Sequence, residues 1–406
     1  MGVKLVQERA YWIAWSQLQG MGPTLIFRLS NHFGSLKPAW EASADELMAV
    51  DGIGEQIAYA ILNGRSPMNP DELLEKHSQE NPHFWTPADA EYPRLLLEIP
   101  DPPPVLYYRG QVNPDENRGL IPAIAIVGTR SPSDYGKRWT RRISHALAQA
   151  GITVVSGLAD GIDAEAHKSC LKAGGRTVAV VGTGVNIVYP WTNRTIAKDI
   201  VQTGLILSEY PMGTKPDRTH FPRRNRIIAG LCRAILVLEA PERSGALITA
   251  RLATDYNRDI YALPGSLDND NAMGCLHLIH EGAQMILDEK QLLESLGALP
   301  HLSEQRAGQR EESRAEQRES HQSSEPIDIQ QMSLVSSPST QSEPLQSIQL
   351  EPDLDCVLQA IQGDLSSLDQ IVDAANLPIG TVLAALVQLE ILGLVAQQPG
   401  MMYQKC

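Results

Sequence analysis

The chain has 406 residues and a formal net charge of −14. This length exceeds one ordinary hydrophobic core and indicates two to four folded units. The acidic balance taken alone argues against a nucleic-acid-binding protein, but residues 121–286 carry 19 Lys and Arg against 14 Asp and Glu. Any polyanionic partner is therefore expected at this segment.

Cysteine usage and hydropathy exclude further classes. The five cysteines are scattered, which favours reduced thiols over a zinc site or a disulfide framework, and no cofactor is predicted. No apolar run reaches the roughly 18 residues of a membrane span, and the first residues do not resemble a secretory signal. The expectation is a soluble, cytoplasmic protein with no membrane partner.

Residues 1–88 are predicted to form a helical domain. Two Gly-apolar-Gly turns, in residues 18–27 and 47–58, are typical of helix-hairpin-helix or SAM-like modules, whose glycines can present backbone N–H groups to a phosphate. Asp51 and Glu55 flank the second turn and would repel a phosphodiester. Packing or protein contact is therefore favoured here, and direct DNA contact stays open.

Residues 89–119 are predicted to be a proline-rich connector. Three consecutive prolines follow Asp101, and such a run is extended and cannot join a helix or a central strand. It is expected to lead the chain to the edge of the next domain.

Residues 120–300 alternate strand-length apolar runs with helical patterns. The apolar runs are residues 123–127, 152–155, 177–181, 204–207, 234–238 and 259–263. Nearly continuous apolar strands between helices indicate a parallel sheet covered on both faces, hence an α/β, doubly wound, Rossmann-like domain. In such sheets, ligands bind outside the carboxyl ends of the strands.

The loops at those strand ends carry glycine or small hydroxyl residues together with a cationic segment. Residues 218–226 contain four arginines and one aromatic, Phe221, and Pro222 is expected at the first position of a helix. A helix N-terminus, guanidinium groups and an aromatic face suit phosphates and bases. This combination predicts a nucleic-acid or nucleotide site at the carboxyl ends of the parallel strands, which are called the rim of the sheet below.

Two enzymatic interpretations are less well supported by the sequence than nucleic-acid binding. The segment at Gly128 lacks the second glycine of the dinucleotide-binding fingerprint, and the segment at Gly182 lacks the third. A nucleotide-derivative hydrolase would need an acidic base, for which Asp160, Asp163 and Glu209 are available, although Asp163 and Glu209 could equally cap a helix or end a strand. No catalytic residue is assigned. A nucleotide sensor on the same fold is a further alternative.

The ordered motifs of residues 90–287 resemble those of the DNA-processing protein A family (DprA, also called Smf). They are Val-Gly-Thr-Arg at 127–130, Ser-Gly-Leu-Ala-x-Gly-Ile-Asp at 156–163, His-Phe-Pro-x-Arg-Asn-Arg at 220–226 and Ser-Gly-Ala-Leu-Ile-Thr-Ala-Arg at 244–251. The resemblance implies an extended Rossmann domain that binds single-stranded DNA, forms a homodimer and loads the RecA recombinase in natural transformation or recombination. It does not imply an enzyme.

The resemblance also implies which residues contact DNA, and the strand-end loops add others. The predicted nucleic-acid-binding residues are Gly128, Thr129, Arg130, Ser156, Gly157, Arg218, Phe221, Arg223, Arg224, Asn225, Arg226, Ser244 and Gly245. Two departures from the family pattern stand out, Asp160 at a position that is often basic or apolar and His277 in place of asparagine.

Beyond this domain, residues 301–352 are rich in Ser, Gln and Glu and are predicted to be a disordered linker. Residues 353–406 regain helical periodicity, with helices expected at 354–361, 367–374 and 378–392, and resemble the winged helix found in many family members. Because no Lys or Arg occurs between Asp353 and Gln404, protein contact is favoured over binding in a DNA groove.

Overall fold

In the computed structural model of the chain, the described residues are 2–297 and most of 352–405. They belong to two compact units, residues 1–323 and 324–406, which are considered separately. Residues 301–351 of the predicted linker lie outside the described residues, and Pro352 begins a helix.

The first unit begins with six helices, of which the first five enclose a hydrophobic core of their own. Trp12, Trp15 and Ile26 are among its buried side chains. Two glycines with positive φ, Gly20 (φ 82°) and Gly52 (φ 86°), make the turns that the sequence predicts between successive helices. The helices are α1 Gly2–Gln17, α2 Pro23–Phe33, α3 Leu36–Glu41, α4 Ala44–Met48, α5 Glu55–Arg65 and α6 Pro70–Glu80.

A nine-stranded sheet forms the rest of this unit, in the order β1-β2-β6-β5-β4-β3-β7-β8-β9. All pairs among β3 to β9 are parallel, whereas the β1–β2 and β2–β6 pairs are antiparallel. The strands are β1 Phe84–Trp85, β2 Leu106–Gly110, β3 Ala123–Val127, β4 Thr153–Ser156, β5 Thr177–Val180, β6 Leu205–Ser208, β7 Ala234–Val237, β8 Asp259–Ala262 and β9 Gln284–Met285. The helices are α7 Pro114–Asn117, α8 Asp134–Gln149, α9 Ile162–Lys172, α10 Arg194–Thr203, α11 His220–Leu231, α12 Gly245–Asp255, α13 Met273–His280 and α14 Glu289–Gly297.

Burial on both faces of the sheet explains why its strands are apolar throughout. In β3, Ile124 and Ile126 face the layer of α8 and α9, while Ala123, Ala125 and Val127 face the layer of α11 and α12. Side chains alternate across a strand, so a strand covered on both sides needs apolar residues at every position. The predicted α/β, mostly parallel architecture is confirmed.

The segment predicted as a connector takes a larger part in the domain than expected. After the prolines, β2 pairs with β6 and β1 pairs with β2, so residues 106–110 lie one strand inside the sheet edge. A 3₁₀ helix at Arg94–Glu98 buries Leu96 against α11. Prolines exclude hydrogen-bonded strand geometry only where they occur, and the residues beyond them are free to pair.

The described part of the second unit contains helices around a small core and a three-stranded sheet. Its elements are α15 Pro352–Ala360, β10 Ser366–Ser367, α16 Leu368–Ala375, β11 Val395–Gln398 and β12 Met402–Lys405, and the strand order is β10-β12-β11. The third predicted helix, 378–392, lies only partly within the described residues, where 381–382, 385–386 and 389 are helical.

His167 is buried on α9 and links this helix to β4 and β5 through hydrogen bonds. The Thr177 hydroxyl donates to the Val154 carbonyl (2.7 Å), so the imidazole Nδ1–H donates to Thr177 Oγ1 (2.7 Å). Burial, with a contribution from the Arg224 cation, lowers the pKa of His167 to about 3. His167 is therefore a neutral structural residue.

A pH-dependent stability follows from this depressed pKa. The unfolded chain binds a proton at His167 below its usual pKa near 6.5, whereas the folded chain does not, so stability falls as the pH drops from 6.5 towards 3. We expect the wild type to lose about 2 kcal/mol more than His167→Gln between pH 8 and pH 5. Denaturant unfolding of both proteins at the two pH values measures this difference. Equal losses would contradict it.

Candidate nucleic-acid interface

The candidate site lies beyond the carboxyl ends of β3, β4 and β5, beside the point where the order of the parallel strands reverses. From β3 the chain proceeds through β4 and β5 to β6 on one side, and then returns to place β7 on the other side of β3. Such a switch point opens a crevice beyond the carboxyl ends of the strands. Arg130 stands in the loop after β3, at this crevice, and its side chain is exposed.

An aromatic pair lies beside Arg130. The rings of Tyr189 and Phe221 are stacked, with centroids 5.6 Å apart and planes inclined by 28°. The Arg130 guanidinium carbon lies 6.0 Å from the centre of the Phe221 ring. These three side chains line a cavity of about 50 Å³ together with Asp160 and Arg224. A cation and a flat apolar surface thus meet at the carboxyl ends of the strands.

The helix that carries Phe221 begins earlier than the sequence predicts. α11 starts at His220, so Pro222 is its third residue instead of its first. Proline is still accommodated, because the N–H groups of a first turn have no partner within the helix. His220 anchors this turn, since its Nδ1 lies 3.0 Å from the Gly182 carbonyl oxygen and its ring stacks on Tyr210 at 3.9 Å.

The arginines of the cationic segment separate into two groups. Arg218 and Arg223 are exposed, and Asn225 is half-buried with its amide 3.3 Å from the Gly245 carbonyl oxygen. Arg224 and Arg226 are only 5% and 7% exposed. The four arginines are therefore not equally accessible to a ligand, and contact of Arg224 and Arg226 with DNA stays a prediction.

Arg226 is neutralised inside the protein. Its guanidinium makes ion pairs with Asp101 (3.2 Å) and Glu209 (2.5 Å), which come from the proline-rich segment and from the loop after β6. Burial raises the pKa of Glu209, an effect that Arg226 opposes. Arg226 thus ties three segments of the chain together beneath the rim.

Arg224 crosses under the loop after β4. It donates to the Val180 carbonyl, and a Cβ on Gly157 would overlap its guanidinium, so this close approach requires glycine at position 157. Burial lowers the pKa of Arg224 to about 10; the neighbouring Asp163 opposes this shift and Arg130 adds to it. Arg224 also lines the cavity beside Phe221.

The other predicted contact residues are mostly parts of the scaffold. Ser156 is fully buried and donates to the Ile126 carbonyl oxygen (2.6 Å), so it is corrected to a structural residue. Thr129 is buried, and its N–H donates to the Glu239 carbonyl oxygen (2.6 Å). Gly128 packs against Ile162. Ser244 caps α12, and Gly245 begins that helix with an exposed backbone.

Comparison with known proteins gives a consistent result. The family model described as DNA recombination-mediator protein A matches residues 83–297, and the model of the DprA winged helix domain matches residues 341–401. Protein Smf from Synechocystis sp. is 52% identical over 400 residues, which cover 98% of this chain and 99% of that protein. The chain belongs to the DprA/Smf family. The resemblance stated from the motifs is confirmed, as is the winged helix.

A family member from Streptococcus pneumoniae extends the comparison to a solved structure. The DNA processing protein DprA of Streptococcus pneumoniae is 42% identical over 225 residues, which cover 55% of this chain and 77% of that protein. An X-ray structure of DprA from the same organism superimposes with a TM-score of 0.61 at 34% identity, over 72% of this chain and 98% of that one. The DprA fold therefore extends over most of the first unit.

This DprA-family chain adds a residue at the rim that sequence reasoning missed. Trp191 follows the cis peptide Tyr189–Pro190, and its side chain is 69% exposed. The Arg194 guanidinium lies 5.3 Å from its ring. An aromatic on each side of a proline in a strand-end loop, followed by an arginine, is the sequence signal that could have revealed it.

Asp160 does lie at the rim of this DprA-family fold, as its position in the sequence suggested. It lines the cavity beside Phe221, and the Thr192 hydroxyl donates to its carboxylate (3.0 Å). The second departure, His277, is on α13, where Nε2 lies 3.8 Å from a carboxylate oxygen of Glu242. Asp160 therefore reduces the positive charge next to Arg130.

The carboxylates considered for catalysis have structural partners in this family member. Asp163 is buried and accepts from the Gly157 N–H (3.0 Å), and burial raises its pKa while Arg224 opposes the rise. Glu209 is held by Arg226.

Among the described residues, none of the helices is long and apolar enough to cross a membrane.

Proposed function

We propose that this protein binds single-stranded DNA, without sequence preference, along the rim formed by Arg130, Tyr189, Phe221, Arg218 and Arg223. The observation that carries the proposal is the stack of Phe221 on Tyr189 with Arg130 beside it at the switch point of the sheet. Stacking on aromatic rings combined with backbone cations is how proteins bind single strands of any sequence. Membership of the DprA/Smf family supports the same assignment.

The cellular role that fits this activity is that of a cytoplasmic, non-enzymatic adaptor. It would protect incoming single strands and load RecA during natural transformation or recombination. A homodimer is part of the proposal, because β9 is an edge strand with Met285 exposed, and an exposed edge of this kind can pair with another chain. The winged helix would contact protein, since it lacks Lys and Arg from Asp353 to Gln404.

The proposal is tested by titrating the full-length protein with labelled oligo-dT and with a duplex of equal length, at low and at physiological salt. We expect oligo-dT to bind more tightly at both salt concentrations, because the bases of a duplex are stacked on one another and cannot reach Phe221. Equal affinity for duplex and oligo-dT would overturn the proposal. Competition by mononucleotides as strong as that by oligo-dT would instead favour the nucleotide sensor.

The exposed arginines give a separate prediction. Arg218→Ala with Arg223→Ala should lower the slope of log K against log salt concentration by about 1.4, since each phosphate contact on a single strand contributes about 0.7. Two exposed lysines that do not line the cavity beside Phe221, Lys76 and Lys198, supply the charge-matched control K76A/K198A. If the control changed the slope as much as the arginine pair did, the effect would reflect net charge and not contact.

A further inference from the structure

A large groove adjoins the rim, and no part of the proposed function accounts for it. It has a volume of about 1150 Å³ and lies between α9 and α10, with one end of α8 along its side. Arg130 lines both this groove and the small cavity beside Phe221, so the two adjoin each other at that residue. Asp160 of the cavity and Thr192 of the groove are joined by a hydrogen bond of 3.0 Å at the same junction.

The groove carries positive charge, of which Lys137 is paired with Asp134 at 3.7 Å and the remainder has no ion pair among the described residues. Arg130, Lys137, Lys168 and Lys172 line it. Lys168 and Lys172 are exposed, and neither has an ion pair in the part of the chain that the structure describes. Glu165 and Asp199 are the acidic lining residues. Glu165 is already paired with Arg141 at 2.6 Å, so its charge is compensated.

The arrangement of these lysines suits a chain of phosphates. Lys168 and Lys172 are four residues apart on α9 and therefore share one face of the helix, separated by about 6 Å along its axis. Leu171 and Ile196 are half-buried and supply apolar surface in the same groove. Two neighbouring cations can bind successive phosphates of a nucleic-acid backbone, and the apolar surface between them can contact the nucleotide rings.

We infer that the α9–α10 groove is a second subsite for the same single strand, which leaves the rim past Arg130 and has its phosphates bound by Lys168 and Lys172. This inference rests on the proposed function, because it assumes that the strand is held at Phe221. The subsite lengthens the footprint on DNA. A short oligonucleotide should fill the rim alone, and a longer one should fill the rim and the groove.

The test compares two lengths of oligo-dT, about 5 and about 20 nucleotides, a choice that spans the usual range of single-strand site sizes. The variant K168E/K172E of the full-length chain should weaken binding of the long oligonucleotide at least 10-fold and leave the short one within 2-fold of the wild type, as about 1.4 kcal/mol corresponds to a factor of 10. The control K76E/K198E changes net charge equally, and Lys198 lies on α10 outside the groove lining. It should leave both lengths within 2-fold of the wild type.

A footprint on the wild-type protein gives a second readout that does not depend on the folding of a variant. Acetylation of Lys168 and Lys172 should be suppressed by the long oligonucleotide and not by the short one, while Lys76 and Lys198 react equally in all cases. Unprotected groove lysines, or a variant that binds the long oligonucleotide as the control does, would overturn the subsite and leave the rim standing. Absence of oligo-dT binding by the wild type would instead overturn the proposed function, and the subsite with it.

Discussion

Phe221→Ala is expected to weaken the binding of single-stranded DNA by about 1–3 kcal/mol, a loss of about 5- to 150-fold in affinity, which is the usual contribution of one aromatic stacking platform. The ring is half-buried against Tyr189, so its removal takes away both the contact surface and the support for its neighbour. Fluorescence anisotropy with labelled oligo-dT measures the change. Because stacking does not involve counterion release, the salt dependence of binding should stay the same.

Two comparisons isolate the role of the ring. Phe221→Trp keeps a flat aromatic surface and should retain most of the affinity, whereas Tyr59→Ala removes a 53% exposed aromatic from α5 and should have no effect. Arg130→Ala should lower the salt slope by about 0.7, which Phe221→Ala does not do. An alanine variant at 221 that binds oligo-dT like the wild type would remove the main support for the rim.

The strands of the α/β domain could be predicted from the sequence because a single physical condition determines them. A parallel strand covered on both faces must be apolar at every position, and the predicted run 123–127 agrees with β3, Ala123–Val127. The predicted run 259–263 likewise ends within one residue of β8, Asp259–Ala262. The same condition placed the strand-end loops on one rim, where Arg130 is found.

The roles of the individual arginines could be predicted only in part. Arg224 precedes Ile227 and Ile228 by three and four residues, so helical spacing already puts it on the buried face of α11. The burial of Arg226 depends on Asp101 and Glu209, which are remote in sequence and reach it only after folding. Local composition cannot reveal such a partner, and the pattern therefore grouped Arg226 with the exposed Arg223.

Because Arg226 is buried in ion pairs and Arg223 is exposed, their loss should affect stability differently. Arg226→Met should destabilise the protein by about 3–5 kcal/mol at pH 7, because removing one partner of a buried ion pair leaves the other charges uncompensated. Arg223→Met, three residues earlier on the same helix but exposed, should change stability by no more than about 0.5 kcal/mol. Denaturant unfolding of both variants and the wild type measures the two values.

The cost of Arg226→Met should depend on pH in a direction fixed by Glu209. Burial already raises the pKa of Glu209 in the wild type, and loss of the arginine raises this pKa further. A carboxyl whose folded pKa is raised favours the folded state below its unfolded pKa, and this benefit is lost as the pH rises through the folded pKa. The destabilisation should therefore be smaller at pH 4 than at pH 7.

DNA-binding experiments on α11 have to separate the loss of a DNA contact from the loss of folding. If Arg226 is a structural residue, Arg226→Met binds oligo-dT with the wild-type salt slope at temperatures where it remains folded, and it loses binding only as it unfolds. A variant of wild-type stability with a lower affinity and a reduced salt slope would show instead that Arg226 reaches the phosphates. Charge reversal at Arg224 and Arg226 together cannot distinguish these cases, because it would place carboxylates beside Asp163 and Glu209 and unfold the rim. Arg130, Arg218 and Arg223 are the positions at which a loss of charge can be measured as a loss of contact.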